Sequence, residues 1–320
     1  MCGIAGTIGV ADEVAVRAMT AALAHRGPDD AGVRVWPDQG LAFGHRRLAI
    51  IDTSAAGHQP MGTPDGRFWI TFNGEIYNYR DLRRDLQALG HTFATQTDTE
   101  VLLAAYAQWG EDCLSCLRGM FAFAVADFKR EQVVLARDRF GIKPLLYHAS
   151  PQGLTFASEL SALLGSDRVS ARLDRTALWY YLSLGSVPQP QTMVEGVHAL
   201  LPGHVLTVRF DGTPETPRRW YDLEAAAATR RQAAANATYA EAAETLRVAL
   251  EEATCYHLVA DVPVGAFLSG GIDSAAMVAL MSQHVSTPIR TFTVGFESQH
   301  QSFSEADQAA ETARYFGTDH

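Results

Sequence analysis

Cys2 directly follows the initiating methionine. Removal of Met1 would leave a thiol and a free α-amine on one residue. An α-amine titrates near pH ~7.7–8.0, so a sizeable share is free base at neutral pH. It can take the thiol's proton, directly or through water, and leave a thiolate able to attack a carbonyl. Taken alone, a cysteine in second position is more economically an arbitrary residue. A second candidate lies far downstream, where Ser269-Gly270-Gly271-Ile272-Asp273-Ser274 separates an apolar run from a helical one. Glycines let backbone N–H groups approach phosphate oxygens, and a helix N-terminus adds unpaired donors and a positive dipole. Ser269 and Ser274 add hydroxyls. Asp273 beside a phosphate calls for a bridging cation, which implies Mg²⁺. The loop is neither a Walker loop nor a G-x-G-x-x-G dinucleotide loop. The plainer alternative is a glycine turn with an acidic residue in the first helical turn.

The elements that must position these residues differ between the two ends. Up to about residue 165, β-type runs mix with helical ones. Gly3–Gly9, Leu41–Asp52, Phe68–Asn73, Phe121–Asp127, Val133–Arg137 and Leu154–Ala157 read as strands. Val14–Ala24, Tyr79–Leu89 and Glu100–Trp109 read as helices, with Gly90 as the stop of the second. Strands that are apolar nearly throughout predict sheets covered on both faces, and their grouping predicts a layered α+β sandwich. Residues 166–224 are broken by five prolines and offer one further strand, His204–Phe210. The alanine-rich stretch Glu224–Thr238 reads as a linker or a frayed helix. From Tyr239 to about Leu258 a helix is expected, then strand Val262–Leu268, helix Ala275–Gln283 and strand Ile289–Val294. That βαβ order predicts a parallel sheet, so a new domain begins near Tyr239.

The 320 residues suggest two domains, and 47% hydrophobic content lets each bury a core. A net charge of −10 argues against nucleic-acid or anionic-membrane partners. No signal peptide or membrane span is expected, and the four cysteines form no disulfide framework, so the chain reads as cytoplasmic. Cys113-Leu114-Ser115-Cys116 lacks a second Cys/His pair and reads as a helix-borne pair rather than a zinc site.

Cys2 and the Ser269–Ser274 loop, more than 260 residues apart, form a rare pairing. Together they resemble the glutamine-hydrolysing asparagine synthetases. Further matches are His25-Arg26-Gly27-Pro28-Asp29, Gly44-His45-Arg46-Arg47-Leu48, Phe72-Asn73-Gly74-Glu75-Ile76-Tyr77-Asn78, Thr97-Asp98-Thr99-Glu100, Gly119-Met120-Phe121-Ala122-Phe123, Arg137-Asp138-Arg139-Phe140-Gly141-Ile142-Lys143-Pro144-Leu145 and Ala157-Ser158-Glu159. The resemblance implies a four-layer αββα N-terminal-nucleophile glutaminase sandwich over 2–212 and a linker over 213–238. It implies the start of an α/β parallel-sheet ATP-pyrophosphatase domain over 239–320.

The resemblance also implies roles. Cys2 would be the nucleophile and its α-amine the base. Asn73 and the Gly74 N–H would form the oxyanion hole. Glutamine needs a cation for its carboxylate, which suits Arg47, and an anion for its ammonium, which suits Asp98. Leu48, Ala49, Ile50, Ile51 and Glu75 would frame the ligand. Leu268, Ser269, Gly270, Gly271, Asp273, Ser274 and Val294 would meet ATP and pyrophosphate, with Asp273 on Mg²⁺. The full enzyme would activate aspartate as its β-aspartyl adenylate and deliver ammonia to it through a tunnel. The implied partners are therefore glutamine, aspartate and ATP, and a homodimer is left open. Arg137–Leu145 and Ala157–Glu159 are read as structural. Singly, Arg46-Arg47 also suits a solvated pair, Asn73-Gly74 a hairpin turn and Asp98 a helix cap.

The family's second loop, Ser-Gly-Glu-Gly-x-Asp-Glu, does not occur in these 320 residues. We therefore expect a fragment of a longer protein, able to hydrolyse glutamine but not to make asparagine. Two other readings stand beside this one: an amidotransferase of the same build acting on a different carboxylate, and an inactive regulatory homologue.

Overall fold

The computed structural model describes residues 1–295 and 304–320. They divide into two compact units, Met1–Ala226 and Ala227–His320.

The first unit carries two six-stranded sheets. One is built from β1 (Gly3–Ile8), β2 (Asp30–Trp36), β3 (Leu41–Arg47), β8 (Leu146–Ser150), β9 (Gly153–Ala157) and β10 (Val197–Ala199), in the order β10-β8-β9-β1-β3-β2. The other holds β4 (Met61–Gly62), β5 (Phe68–Ile76), β6 (Gly119–Asp127), β7 (Gln132–Arg137), β11 (His204–Arg209) and β12 (Arg218–Arg219), in the order β12-β11-β7-β6-β5-β4. All their pairings are antiparallel. Ile4, Ile8, Leu41 and Phe43 of the first sheet share one core with Ala124, Val133, Leu135 and Leu206 of the second. On the outer face of the first sheet, α1 (Glu13–Ala22) and α5 (Leu160–Leu164) lay Val16, Met19 and Leu163 against Ala5, Ala42 and Ala157. On the second, α3 (Asp98–Trp109) packs beside β5, with Tyr106 edge-on to Phe68 at 5.7 Å, and α2 (Tyr79–Ala88) lies against α3. The result is the expected αββα sandwich. Burial on both faces explains the unbroken apolar strands.

Several boundaries shift for physical reasons. The run Leu41–Asp52 leaves the sheet at Arg47, and residues 48–52 form a loop. Strand β5 runs on to Ile76, so Asn73-Gly74 lies in mid-strand, opposite Ala122 and Phe121, and is not a turn. Thr97, not Asp98, caps α3, its hydroxyl accepting from the Thr99 and Glu100 N–H groups. Cys113–Cys116 is the short helix α4, as its reading as a helix-borne pair expects, whereas strands β2 and β8 and helix α6 (Arg175–Leu184) are elements that the sequence pattern does not predict. The linker expected over 213–238 carries β12, which pairs with β11, and the whole of α7 (Leu223–Ala233), where alanines favour helix.

In the second unit α8 (Tyr239–His257) begins at a capping box of Thr238 and Glu241. Strands β13 (Gly265–Phe267) and β14 (Arg290–Phe292) are parallel, with α9 (Ile272–His284) between them; α10 (Ala306–Phe316) comes last. A small core joins Leu268, Val278, Ala309 and Ala313.

Candidate active site around Cys2

Sheet register carries Cys2 to its place. Gly3 pairs with Arg46, so the residue before it lies beside the exit of β3. The Leu48 N–H points at the Cys2 Sγ from 3.4 Å, and the Leu48 carbonyl lies 3.6 Å from the same sulfur. Arg26 donates through Nε to the Cys2 carbonyl at 2.8 Å and pairs through its NH1 nitrogen with Glu159 at 2.7 Å. The Ile4 N–H donates to Ser158 Oγ at 3.0 Å. Burial pushes the Cys2 thiol up, against the pull of the Leu48 N–H; burial also holds the chain's α-amine, here on Met1, below its usual range.

Arg47 leaves β3 into the loop and is nearly buried. Its NH1 nitrogen donates to the Ser54 carbonyl at 2.6 Å, and NH2 donates to the carbonyls of Ile51 (3.4 Å) and Asp52. Gly57 makes room for it: a Cβ there would lie 1.9 Å from NH2. These bonds leave donor hydrogens on Nε and NH1 for an anion.

Strand β5 supplies the opposite wall. The Phe72 N–H donates to Gln59 Oε1 at 2.7 Å, and the Ile76 N–H to Asp98 Oδ2 at 2.9 Å. Strand N–H groups alternate sides, so the Gly74 N–H points the same way as these two. A Cβ at Gly74 would meet the Met120 carbonyl oxygen at 2.2 Å, which ties the glycine to the close pairing of β5 with β6. Asn73 is fully buried, and neither its Oδ1 nor its Nδ2 has a partner. Such an orphaned amide in a folded interior asks for an explanation, and a missing ligand is one. Behind it His45 donates from Nε2 to the Phe72 carbonyl at 3.0 Å, and burial pulls its imidazole down to about 4, leaving the ring neutral. Burial raises the Asp98 carboxyl to about 7, with the Ile76 N–H opposing and Glu75 adding.

One pocket gathers Cys2, Arg47, Leu48, Ile50, Ile51, Asn73, Gly74, Glu75 and Asp98. Ala49 lies outside that lining; its N–H donates to Asp29 Oδ2 at 2.8 Å. The lining adds residues that sequence reasoning missed: Met1, Gly57, Gln59, Phe72, Thr97, Thr99 and Lys143. Lys143 lies in a segment read as structural. It is the third basic residue of that motif, after Arg137 and Arg139, and nothing in the sequence sets it apart from them.

The phosphate-loop residues stand in the second unit. Ser269 Oγ and Ser274 Oγ are 2.8 Å apart, the Gly271 N–H donates to Ser269 Oγ at 3.2 Å, and the Gly270 N–H donates to Glu305 Oε2 at 3.0 Å. A shallow pocket brings Leu268, Ser269 and Val294 together with Phe267, Phe292, Thr293 and Glu305. Leu268 presents backbone there, because its side chain fills the small core. Gly270, Gly271, Asp273 and Ser274 continue from this pocket into the start of α9. Among the described residues no group of three or more His, Cys, Asp or Glu could hold a metal ion. Asp273 alone fits Mg²⁺ only where phosphate oxygens complete the shell. No helix among the described residues is long and apolar enough to cross a membrane.

Known proteins match the chain in two blocks. The glutamine amidotransferase domain family matches residues 1–221, and the asparagine synthase family matches residues 245–320. Glutamine-hydrolysing asparagine synthetase 1 of Bacillus subtilis is 40% identical over 325 residues, 99% of this chain and 49% of the relative. Asparagine synthetase 3 of the same organism is 38% identical over 315 residues, 95% of this chain and 49% of the relative. The chain thus spans about half the length of the curated relatives it matches. Among solved structures, the glutamine phosphoribosylpyrophosphate amidotransferase of B. subtilis aligns with a TM-score of 0.50 at 17% identity, over 97% of this chain and 70% of that one, a likeness of fold.

Proposed function

The chain belongs to the glutamine amidotransferase family, and from that membership we propose that residues 2–212 hydrolyse glutamine to glutamate and ammonia with Cys2 as nucleophile. The observation that carries this reading is the orphaned Asn73 amide in one pocket with Cys2, Arg47 and Asp98. Once Met1 is removed, the α-amine of Cys2 takes the thiol proton. The thiolate adds to the side-chain carbonyl carbon of glutamine, and the oxyanion receives hydrogen bonds from Asn73 Nδ2 and the Gly74 N–H. The C–N bond breaks as the amine returns its proton to the leaving ammonia. Water then cleaves the thioester, releasing glutamate. Arg47 holds the substrate carboxylate and Asp98 its ammonium. Leu48, Ile50, Ile51 and Glu75 frame the rest, and Ala49 supports the loop from behind.

Residues 239–320 are proposed to belong to an ATP-pyrophosphatase-type synthetase domain, joined to the glutaminase through 213–238. In the whole protein the reaction would be glutamine-dependent asparagine synthesis. ATP with Mg²⁺, when bound, would supply the adenylyl group that activates the aspartate side chain. Ser269, Gly270, Gly271 and Ser274 would donate to phosphate oxygens, Asp273 would face the cation, and Leu268 and Val294 would border the nucleotide. A cytoplasmic location agrees with four free cysteines.

The test is glutamine hydrolysis by protein shown by mass to lack Met1, together with labelling by a glutamine-analogue electrophile. Equimolar glutamate and ammonia and a single label on Cys2 are expected. A Cys2→Ala protein that hydrolyses glutamine at the wild-type rate would overturn the assignment.

A further inference from the structure

Lys143 is a buried ammonium in the wall of the Cys2 pocket, 3% exposed. Its Nζ meets the Met1 Sδ at 3.2 Å, and a thioether is a weak acceptor for a buried charge. The loop that carries it is fixed by other means. Asp138 accepts the N–H groups of Phe121, Phe140, Ile142 and Lys143 at 3.0–3.2 Å. Arg137 donates from Nε to the Lys143 carbonyl at 2.8 Å. None of these bonds uses the lysine side chain, so the fold holds the backbone and leaves the ammonium to the pocket.

We propose that Lys143 is a positioning residue for glutamine hydrolysis, its ammonium holding the freed α-amine of Cys2 in the unprotonated form that accepts the thiol proton. The proposal rests on Cys2 being the nucleophile after Met1 is lost. Removing Met1 takes away the thioether that Lys143 now meets and transfers the α-amine to Cys2, at the same end of the pocket. The charges facing that amine come from every side. The Cys2 thiolate and Glu75 on β5 each favour a protonated amine, and Asp98 at the start of α3 pushes up the Cys2 thiol. Lys143 and Arg26, after α1, oppose them; burial and Arg26 lower the lysine itself, while Glu75, the Cys2 thiolate and Asp138 in its own loop favour its charge. Burial already lowers the amine, the Cys2 thiolate and Glu75 work against that, and an ammonium takes no proton from a thiol. Arg26 is already tied to the Cys2 carbonyl and Glu159, so Lys143, whose ammonium among the described residues meets only the departing thioether, is the counterweight free to act.

Lys143→Met, Lys143→Gln and Lys143→Arg, each freed of Met1, are compared with wild type across pH 5.5–9.5. In the two neutral variants the acidic limb of kcat, read at saturating glutamine so that the KM change set by Asp98 drops out, should move up by about one pH unit, costing about tenfold at pH 7 and recovering in alkali. Lys143→Arg should keep the wild-type limb. The rate of Cys2 alkylation against pH should shift in parallel, and a thermal melt shows that each variant is folded. An unmoved limb in folded Lys143→Met and Lys143→Gln, or an equal shift in Lys143→Arg, overturns the proposal while leaving Cys2 as nucleophile. A wild type without glutaminase activity overturns both.

Discussion

The two units treat polar groups in opposite ways. In Met1–Ala226, Asn73, Asp98, His45, Arg47 and Lys143 are all buried, and polar atoms of Asn73 and His45 lack the partners such groups normally find. In Ala227–His320 the loop hydroxyls pair with one another, one loop amide is taken by Glu305, and the loop faces solvent. The contrast follows from core size. A double sheet with helices outside buries enough apolar surface to offset several unpaired polar groups, each costing about 1–3 kcal/mol. The described residues of the second unit, in a chain spanning about half its relatives' length, share a core of Leu268, Val278, Ala309 and Ala313, and Phe267, Ile272 and Val294 are 71–84% exposed there. The first unit therefore holds a site set for its ligand before the ligand arrives. The second holds donors that must first be released from each other.

The sharpest way to break that contrast is Asn73→Ala. If the orphaned amide waits for an oxyanion, kcat should fall by about 10²–10³-fold. The thermal midpoint should move by no more than about 2–4 °C, because no protein hydrogen bond is lost. A large loss of stability with little loss of rate would make Asn73 a structural residue.

Asp98 gives the next largest effect. Its folded-state pKa is raised to about 7 from an ordinary 3.8, by burial first. The raised value means that its contribution to stability is fully present below about pH 3.8 and is lost as pH rises through about 7. An ionised Asp98 thus burdens the empty site, and a glutamine ammonium relieves it. KM for glutamine should fall about tenfold between pH 6 and pH 8, and glutamine should raise the melting temperature more at pH 8. In Asp98→Asn both pH trends should disappear. Persistence of the KM trend in that variant would move the titration to another group.

The smallest effect concerns independence. Leu268→Ala should cost the second unit about 2–5 kcal/mol and leave glutamine hydrolysis within about twofold of wild type. Loss of hydrolysis in step with loss of the second unit's structure would show that the first unit's site is not self-sufficient.

Much of the site could be read from the sequence because its residues travel in local motifs. Arg47 and Leu48 sit at one strand exit, Asn73, Gly74 and Glu75 share one strand, and Asp98 opens one helix. What local pattern could not give was the backbone state of Asn73-Gly74, a pair that reads as a turn by composition yet lies within β5 because β6 covers it. Lys143 was illegible for a related reason. Its meaning comes from Met1, 142 positions away, and no periodicity reports on such a contact. Ala49 lies outside the pocket lining although its neighbours Leu48 and Ile50 are in it, since neighbours in sequence at a loop do not all face the same cavity. Strand β2 was hidden directly after Gly27-Pro28-Asp29, and α6 in the 166–224 stretch, ahead of its five prolines.

Arg47 is held by carbonyl oxygens, and every amino acid brings one. The side chains of Thr53, Ala55 and Ala56 are exposed and take no part in gripping it. Those positions are therefore open to drift or to deliberate diversification, with Gly57 as the fixed point that admits no Cβ. A variable rim around an immobile cation is a place where a lineage, or a library, can try new contacts without first giving up the old anchor.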